Sequence, residues 1–106
     1  MTVRELLSLA DTAKPNELGD DLKIRWINDV EGRIECEIHR KPAAEFKSVL
    51  GEDDVLCVPD SHSGLYLPYL LSMIAFAGAD YEAYSRAAMD FETALHAYAK
   101  FYIRNK

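Results

Sequence analysis

The chain has 106 residues, a formal net charge of -6 and a pI near 4.9. That length suits one domain able to bury its own core without staples, and an apolar fraction of 49% is far from that of a disordered chain. The acidic balance argues against a nucleic acid gripped through its phosphates, which needs clustered Lys and Arg; it is compatible with an acidic wall past which DNA slides untrapped.

The opening, Met-Thr-Val-Arg-Glu-Leu-Leu, is charged and amphipathic and lacks the apolar core of a signal peptide. No apolar run reaches the roughly 18 residues a membrane span requires. The expected setting is a cytoplasm, with Cys36 and Cys57 as free thiols.

Thr2 followed by Glu5 forms a capping box, and Leu6, Leu7, Leu9 and Ala10 give a short apolar face, so the first helix is expected over residues 3–12, ended by Pro15. Asp20 or Asp21 is placed to cap a second helix. Its apolar face is Leu22, Trp26, Ile27, Val30, Ile34 and Ile38; Lys23, Arg25, Asp29, Glu31, Arg33, Glu35 and Glu37 read as its solvated side. Gly32 weakens its middle or permits a close crossing. His39, Arg40 and Lys41 bring positive charge to its end, and Pro42 stops it.

Residues 42–63 are irregular, with a turn signal at Gly51-Glu-Asp-Asp54 and a candidate hairpin pairing Phe46–Leu50 with Val55–Val58. A third helix is expected from Leu65 or Pro68 to Ala77, apolar nearly all round through Leu67, Leu70, Leu71, Ile74 and Phe76. Gly78 is a candidate C′ residue and Asp80 an N-cap, which makes helices three and four a tightly turned antiparallel pair. From Asp80 to Lys106 there is no Pro or Gly. Tyr81, Tyr84, Ala88, Phe91, Leu95, Tyr98 and Tyr102 step by three and four along one stripe of a helix roughly 35 to 40 Å long. The fold class is therefore all-α: about four helices in a small bundle, with a long C-terminal helix and one long loop between helices two and three.

No catalytic signature is present: no phosphate loop, no GxGxxG, no HExxH and no nucleophile elbow. Cys36, His39, Cys57 and His62 are the one set of soft donors, but their spacing matches no finger, and Cys57 lies in an apolar run typical of a core thiol. Asp53, Asp54 and Asp60 do not follow the EF-hand pattern. His96 reads as a surface or interface residue. The expectation is a protein that is no enzyme and takes no cofactor or metal. Six tyrosines and four phenylalanines suit a core with a protein-binding rim. Phe101, Tyr102 and Ile103 crowd the last turn and cannot all face one core, so part of that end is expected to meet another subunit.

Two segments carry a family resemblance. The first, Val3 to Ile34, holds the helix Lys-Ile-Arg-Trp-Ile-Asn that ends in Glu-Gly-Arg-Ile; the second, Val55 to Arg104, opens on Val-Pro-Asp and continues as two Tyr-rich helices joined at "AGADYEAY". Together they resemble the small head–tail connector (adaptor or head-completion) proteins of tailed bacteriophages and prophages. The sequence departs from that pattern at "DSHSG" and at Pro68. The resemblance implies a single helical connector domain over residues 1–106, which assembles as a ring, typically a dodecamer, beneath the portal protein. It implies a virion location in the neck, with assembly in the host cytoplasm, a docking surface for the next neck or tail protein, and DNA passing through the channel without specific binding. The partner-contacting residues expected on this reading are Phe101, Tyr102, Ile103 and Arg104 at the end of helix four, and Glu52, Asp53, Asp54, Asp60 and His62 in the loop. The alternative from another class is a soluble intracellular regulatory or inhibitor protein that binds one partner through helix four.

Overall fold

A computed structural model describes residues 1–42, 45 and 51–106. Among them the chain forms four α-helices and no strand: α1 (Val3–Ala13), α2 (Asp20–Glu37), α3 (Tyr66–Ala77) and α4 (Tyr81–Arg104), with a 3-10 turn, Ser63–Leu65, leading into α3. The expected all-α bundle is what is found. The hairpin partner Phe46–Leu50 lies outside the described residues; Val55 makes an isolated antiparallel bridge to Thr2.

α1 starts where its capping box predicts. Thr2 accepts from the Glu5 N–H and Glu5 reaches back to the Thr2 backbone. The next orphan donors of the first turn are satisfied by the loop: Val3 N–H donates to Asp54 O and Arg4 N–H to Glu52 O, while Leu56 N–H returns a bond to Met1 O. This backbone strap holds residues 52–56 against the start of α1 and directs Leu56 and Val58 into the core.

α3 is the hub, packed against each of the other helices and most extensively against α4. Leu70 and Ile74 of α3 are buried with Val3, Leu6 and Ala10 of α1, Ile27, Val30 and Ile34 of α2, and Phe91, Leu95 and Tyr98 of α4. Pro68 sits in the first turn of α3, where the missing N–H costs nothing. α3 is less enclosed than its composition implies, for Phe76 is 54% exposed.

The α3–α4 turn is a Schellman motif: Asp80 N–H donates to Ala75 O and Ala79 N–H to Phe76 O. Its left-handed residue is Ala79, at φ 59°, and not Gly78, which stays at φ -88° as the C-cap. Asp80 caps α4 by accepting from the Ala83 N–H.

α2 departs most from expectation. Its N-cap is Gly19, with Asp20 and Asp21 in the first turn serving the helix dipole but not capping it. It ends at Glu37, before its basic residues. The last turn widens: Ile38 N–H and His39 N–H both donate to Ile34 O, Lys41 N–H reaches Glu35 O, and Arg40 reverses the chain at φ 56°. Gly32 has open space where a Cβ would sit, so no close crossing requires it.

Lys23, which reads as solvated, is 1% exposed. Its Nζ lies 2.6 Å from Asp11 Oδ1, which joins α2 to α1. The hydrogen bond from Lys23 is the chief reason the Asp11 carboxyl is held below its usual range. Asp11→Ala strands a buried ammonium and is expected to cost about 2 kcal/mol in denaturant titration at pH 7, toward the low side because Asp11 itself is partly solvated. Lys23→Met is expected to be near neutral there. The Asp11 contribution is complete above the unfolded carboxylate range near ~4 and fades as pH falls through the lower folded value. The wild type should therefore lose its advantage over Asp11→Ala in acid.

Candidate functional site

Glu31 and Glu35 share one line along α2, and His39, two residues past its end at the same four-residue spacing, is carried onto that line by the turn that follows. The sequence places them on the solvated side, but they face inward, toward residues 57–58, Tyr66 of α3 and Tyr98 of α4. At the near end Glu31 Oε2 accepts the Cys57 N–H at 2.8 Å, and Oε1 accepts the Cys57 thiol at 3.2 Å and the Tyr66 hydroxyl. The Tyr66 oxygen in turn accepts the Val58 N–H at 3.1 Å. One carboxylate thus ties the loop to α3.

At the far end His39 Nδ1 lies 2.8 Å from Glu35 Oε1 and Nε2 lies 2.6 Å from the Tyr98 hydroxyl. A carboxylate only accepts, so Nδ1 carries the proton, and in the neutral ring Nε2 accepts from Tyr98. Glu35 Oε2 also accepts from Lys41 Nζ at 2.9 Å. The widened last turn of α2 is what swings His39 and Lys41 back over Glu35. No buried side-chain nitrogen or oxygen among the described residues lacks a partner.

This burial moves the acidities. Burial pushes the Glu35 carboxyl up, but bonds from Lys41, Cys57 and His39 outweigh it and hold the group below the ordinary carboxylate range. Burial, then the Glu31 charge, drives the Cys57 thiol and the Tyr66 phenol far up, and burial raises Tyr98 to about 12. Cys57 is therefore a protonated thiol in the chain as it stands and a poor nucleophile.

Above the network is a shallow groove of about 330 Å³ lined by His39, Lys41, Cys57, Pro59, Tyr98, Phe101, Tyr102 and Asn105. The sequence-predicted contact residues distribute around it unevenly. Phe101 and Tyr102 are half-buried and belong to this chain's own packing: Phe101 lies on the His62 ring at a centroid distance of 4.3 Å, and Tyr102 on His39 at 4.7 Å. Ile103 is 73% exposed, and Arg104 is exposed beside it.

The acidic loop residues are engaged. Glu52 and Asp53 pair with Arg4 at 3.1 and 3.0 Å, the Gly51 N–H donates to Asp54 Oδ2, and Asp60 accepts from the N-terminal amine at 2.9 Å. His62 Nδ1 lies 2.9 Å from Ser61 Oγ.

Of the four soft donors, only His39 and Cys57 come together. Cys36 is exposed, and the structure puts Glu35 in its place. Sequence reasoning missed the Glu31–Glu35–His39 ladder and a second exposed aromatic cluster at the α3–α4 turn, where Phe76 contacts Tyr81 and Tyr84. The four-residue spacing was the available signal for the ladder; Gly78 between two aromatic-bearing helix ends was the signal for the cluster.

No family model, curated protein or solved structure matches the chain. Among the described residues no helix is long and apolar enough to cross a membrane.

Tyr66→Phe leaves the buried Val58 N–H without its acceptor and Glu31 short of a donor. It is expected to cost about 2 kcal/mol in denaturant titration. Tyr81→Phe, on a 60% exposed residue, should stay within about 0.5 kcal/mol of wild type.

Proposed function

We propose that this chain is a structural head–tail connector of a tailed phage or prophage, forming a ring that joins the portal to the tail and continues the DNA channel. The observation that supports the reading on the molecule itself is the apolar surface left uncovered along α4 and at the turn before it: Phe76 and Tyr81 at one end, Met89 midway and Ile103 at the other, 54, 60, 71 and 73% exposed. A closed ring needs two different patches on each subunit, one meeting the other on the next copy. α4 has 24 residues and so runs about 36 Å, close to the 38 Å long axis of the molecule. The exposed side chains at its two ends are therefore separated by about the length of the helix. The net charge of -6 favours passage of DNA over its capture.

Deleting everything after Ala99 is a blunt test, because Phe101 and Tyr102 brace His62 and His39 within the subunit. Ile103→Asp alters only an exposed side chain and should leave stability within about 0.5 kcal/mol. On this reading, light scattering of the wild type mixed with portal rings from the same phage or prophage gives a complex heavier than portal. Ile103→Asp weakens that complex by at least tenfold. A wild-type chain that ignores portal contradicts the reading, and capture of one other protein through α4 in its place favours the regulatory alternative.

A further inference from the structure

We propose that Glu35, His39 and Cys57 form a divalent transition-metal site, best suited to Zn²⁺, that closes the end of α2 onto the loop beneath the groove. The donor atoms of these three side chains all lie within 4.8 Å of one another, with Glu35 buried and the other two half-buried. Around a tetrahedral zinc ion, sulfur, nitrogen and oxygen donors sit roughly 3.3 to 3.6 Å apart, so side-chain torsion alone brings this set to bonding distance. A thiolate, an imidazole and a carboxylate together suit Zn²⁺ over Mg²⁺ or Ca²⁺, which prefer oxygen alone.

Charge and hydrogen bonding also fit. The thiol gives up its bond to Glu31 Oε1 and releases its proton to solvent, while Glu31 keeps the Cys57 N–H and the Tyr66 hydroxyl; the imidazole binds neutral and the carboxylate is already ionised, so two negative ligands balance one dication. Glu31 and Lys41 sit just outside with opposite charges. Glu35 presents Oε1 to the His39 ring and keeps Oε2 for Lys41, so an ion can replace the Nδ1–H···Oε1 bond without breaking the Lys41 pair. With Nδ1 on the ion, the proton moves to Nε2, which then donates to the Tyr98 hydroxyl. That outer hydrogen bond orients the ligating ring, as in established zinc sites. The same Tyr98 is fixed by burial at 1% exposure, so the ring is held ready. Three protein ligands leave a fourth position facing the groove, open to water or to a donor from a docked neighbour.

Co²⁺ titration of the metal-stripped full chain tests this, because a cobalt–thiolate bond gives a near-ultraviolet charge-transfer band. The expected result is one Co²⁺ per chain, displaced by Zn²⁺, with the band kept in Cys36→Ser and lost in Cys57→Ser. Affinity should fall at least tenfold in His39→Gln and in Glu35→Gln. Circular dichroism establishes that each variant is folded; should Cys57→Ser fail to fold, His39→Gln and Cys36→Ser decide. Absence of the band in the wild type overturns the site. So does a band lost in Cys36→Ser, which reports adventitious binding at the exposed thiol, and so does unchanged affinity in a folded His39→Gln.

Discussion

The Glu31 carboxylate is the tie on which the rest of this structure depends. It collects a backbone N–H, a thiol and a phenol from the loop and α3, and the phenol passes the connection on to the Val58 N–H. A half-buried carboxylate is costly unless it is hydrogen-bonded, and these three donors engage both of its oxygens. The result is directional: Leu56 and Val58 enter the core only in the register that these bonds permit. The backbone strap from residues 52–56 to the first turn of α1 holds the other end of the same segment. Residues 52–58, which among themselves form no strand or helix, are thus fixed at one end by α1 and the residues before it and at the other by Glu31 and Tyr66.

What the sequence revealed and what it hid divide along physical lines. α1 and α4 announce their starts through side chains that bond their own first turns, Thr2 with Glu5 and Asp80 with Ala83. The α3–α4 turn is equally local, although the left-handed position falls on Ala79 and not on the glycine before it. α2 was misjudged because its features are tertiary. Lys23, Glu31 and Glu35 have the composition of a solvated face; partners far along the chain engage Lys23 (Asp11) and Glu31 (Cys57, Tyr66), while Glu35 is held by His39 and Lys41 from the turn that follows the helix. Its widened end brings His39 and Lys41 together on Glu35, a juxtaposition no periodicity encodes. The Phe101–Tyr102–Ile103 crowding was legible as a conflict, and the structure resolves it by turning two rings onto the histidines of the subunit and leaving Ile103 outside.

The two functional proposals meet at one surface. The groove over His39 and Cys57 is walled by Tyr98, Phe101 and Tyr102 near the C-terminal end of α4, while Ile103 lines a separate groove with Glu37, Ile38, Arg40, Ala99 and Lys106; Tyr102 belongs to both. An ion held by His39 would stiffen Tyr102, which stacks on that ring and is the wall the two grooves share. Neither proposal needs the other: the docking surface rests on exposed apolar side chains, the metal site on three donors converging from α2 and the loop.

The tie through Glu31 is tested most directly by native-state hydrogen exchange at the Cys57 and Val58 amides. If these N–H groups are held by Glu31 and Tyr66 as the structure has them, they exchange with the slow core amides of α3, well behind neighbouring exposed loop positions such as Asp53. Exchange of Cys57 and Val58 at the rate of an unprotected loop, while α3 remains protected, would contradict the account.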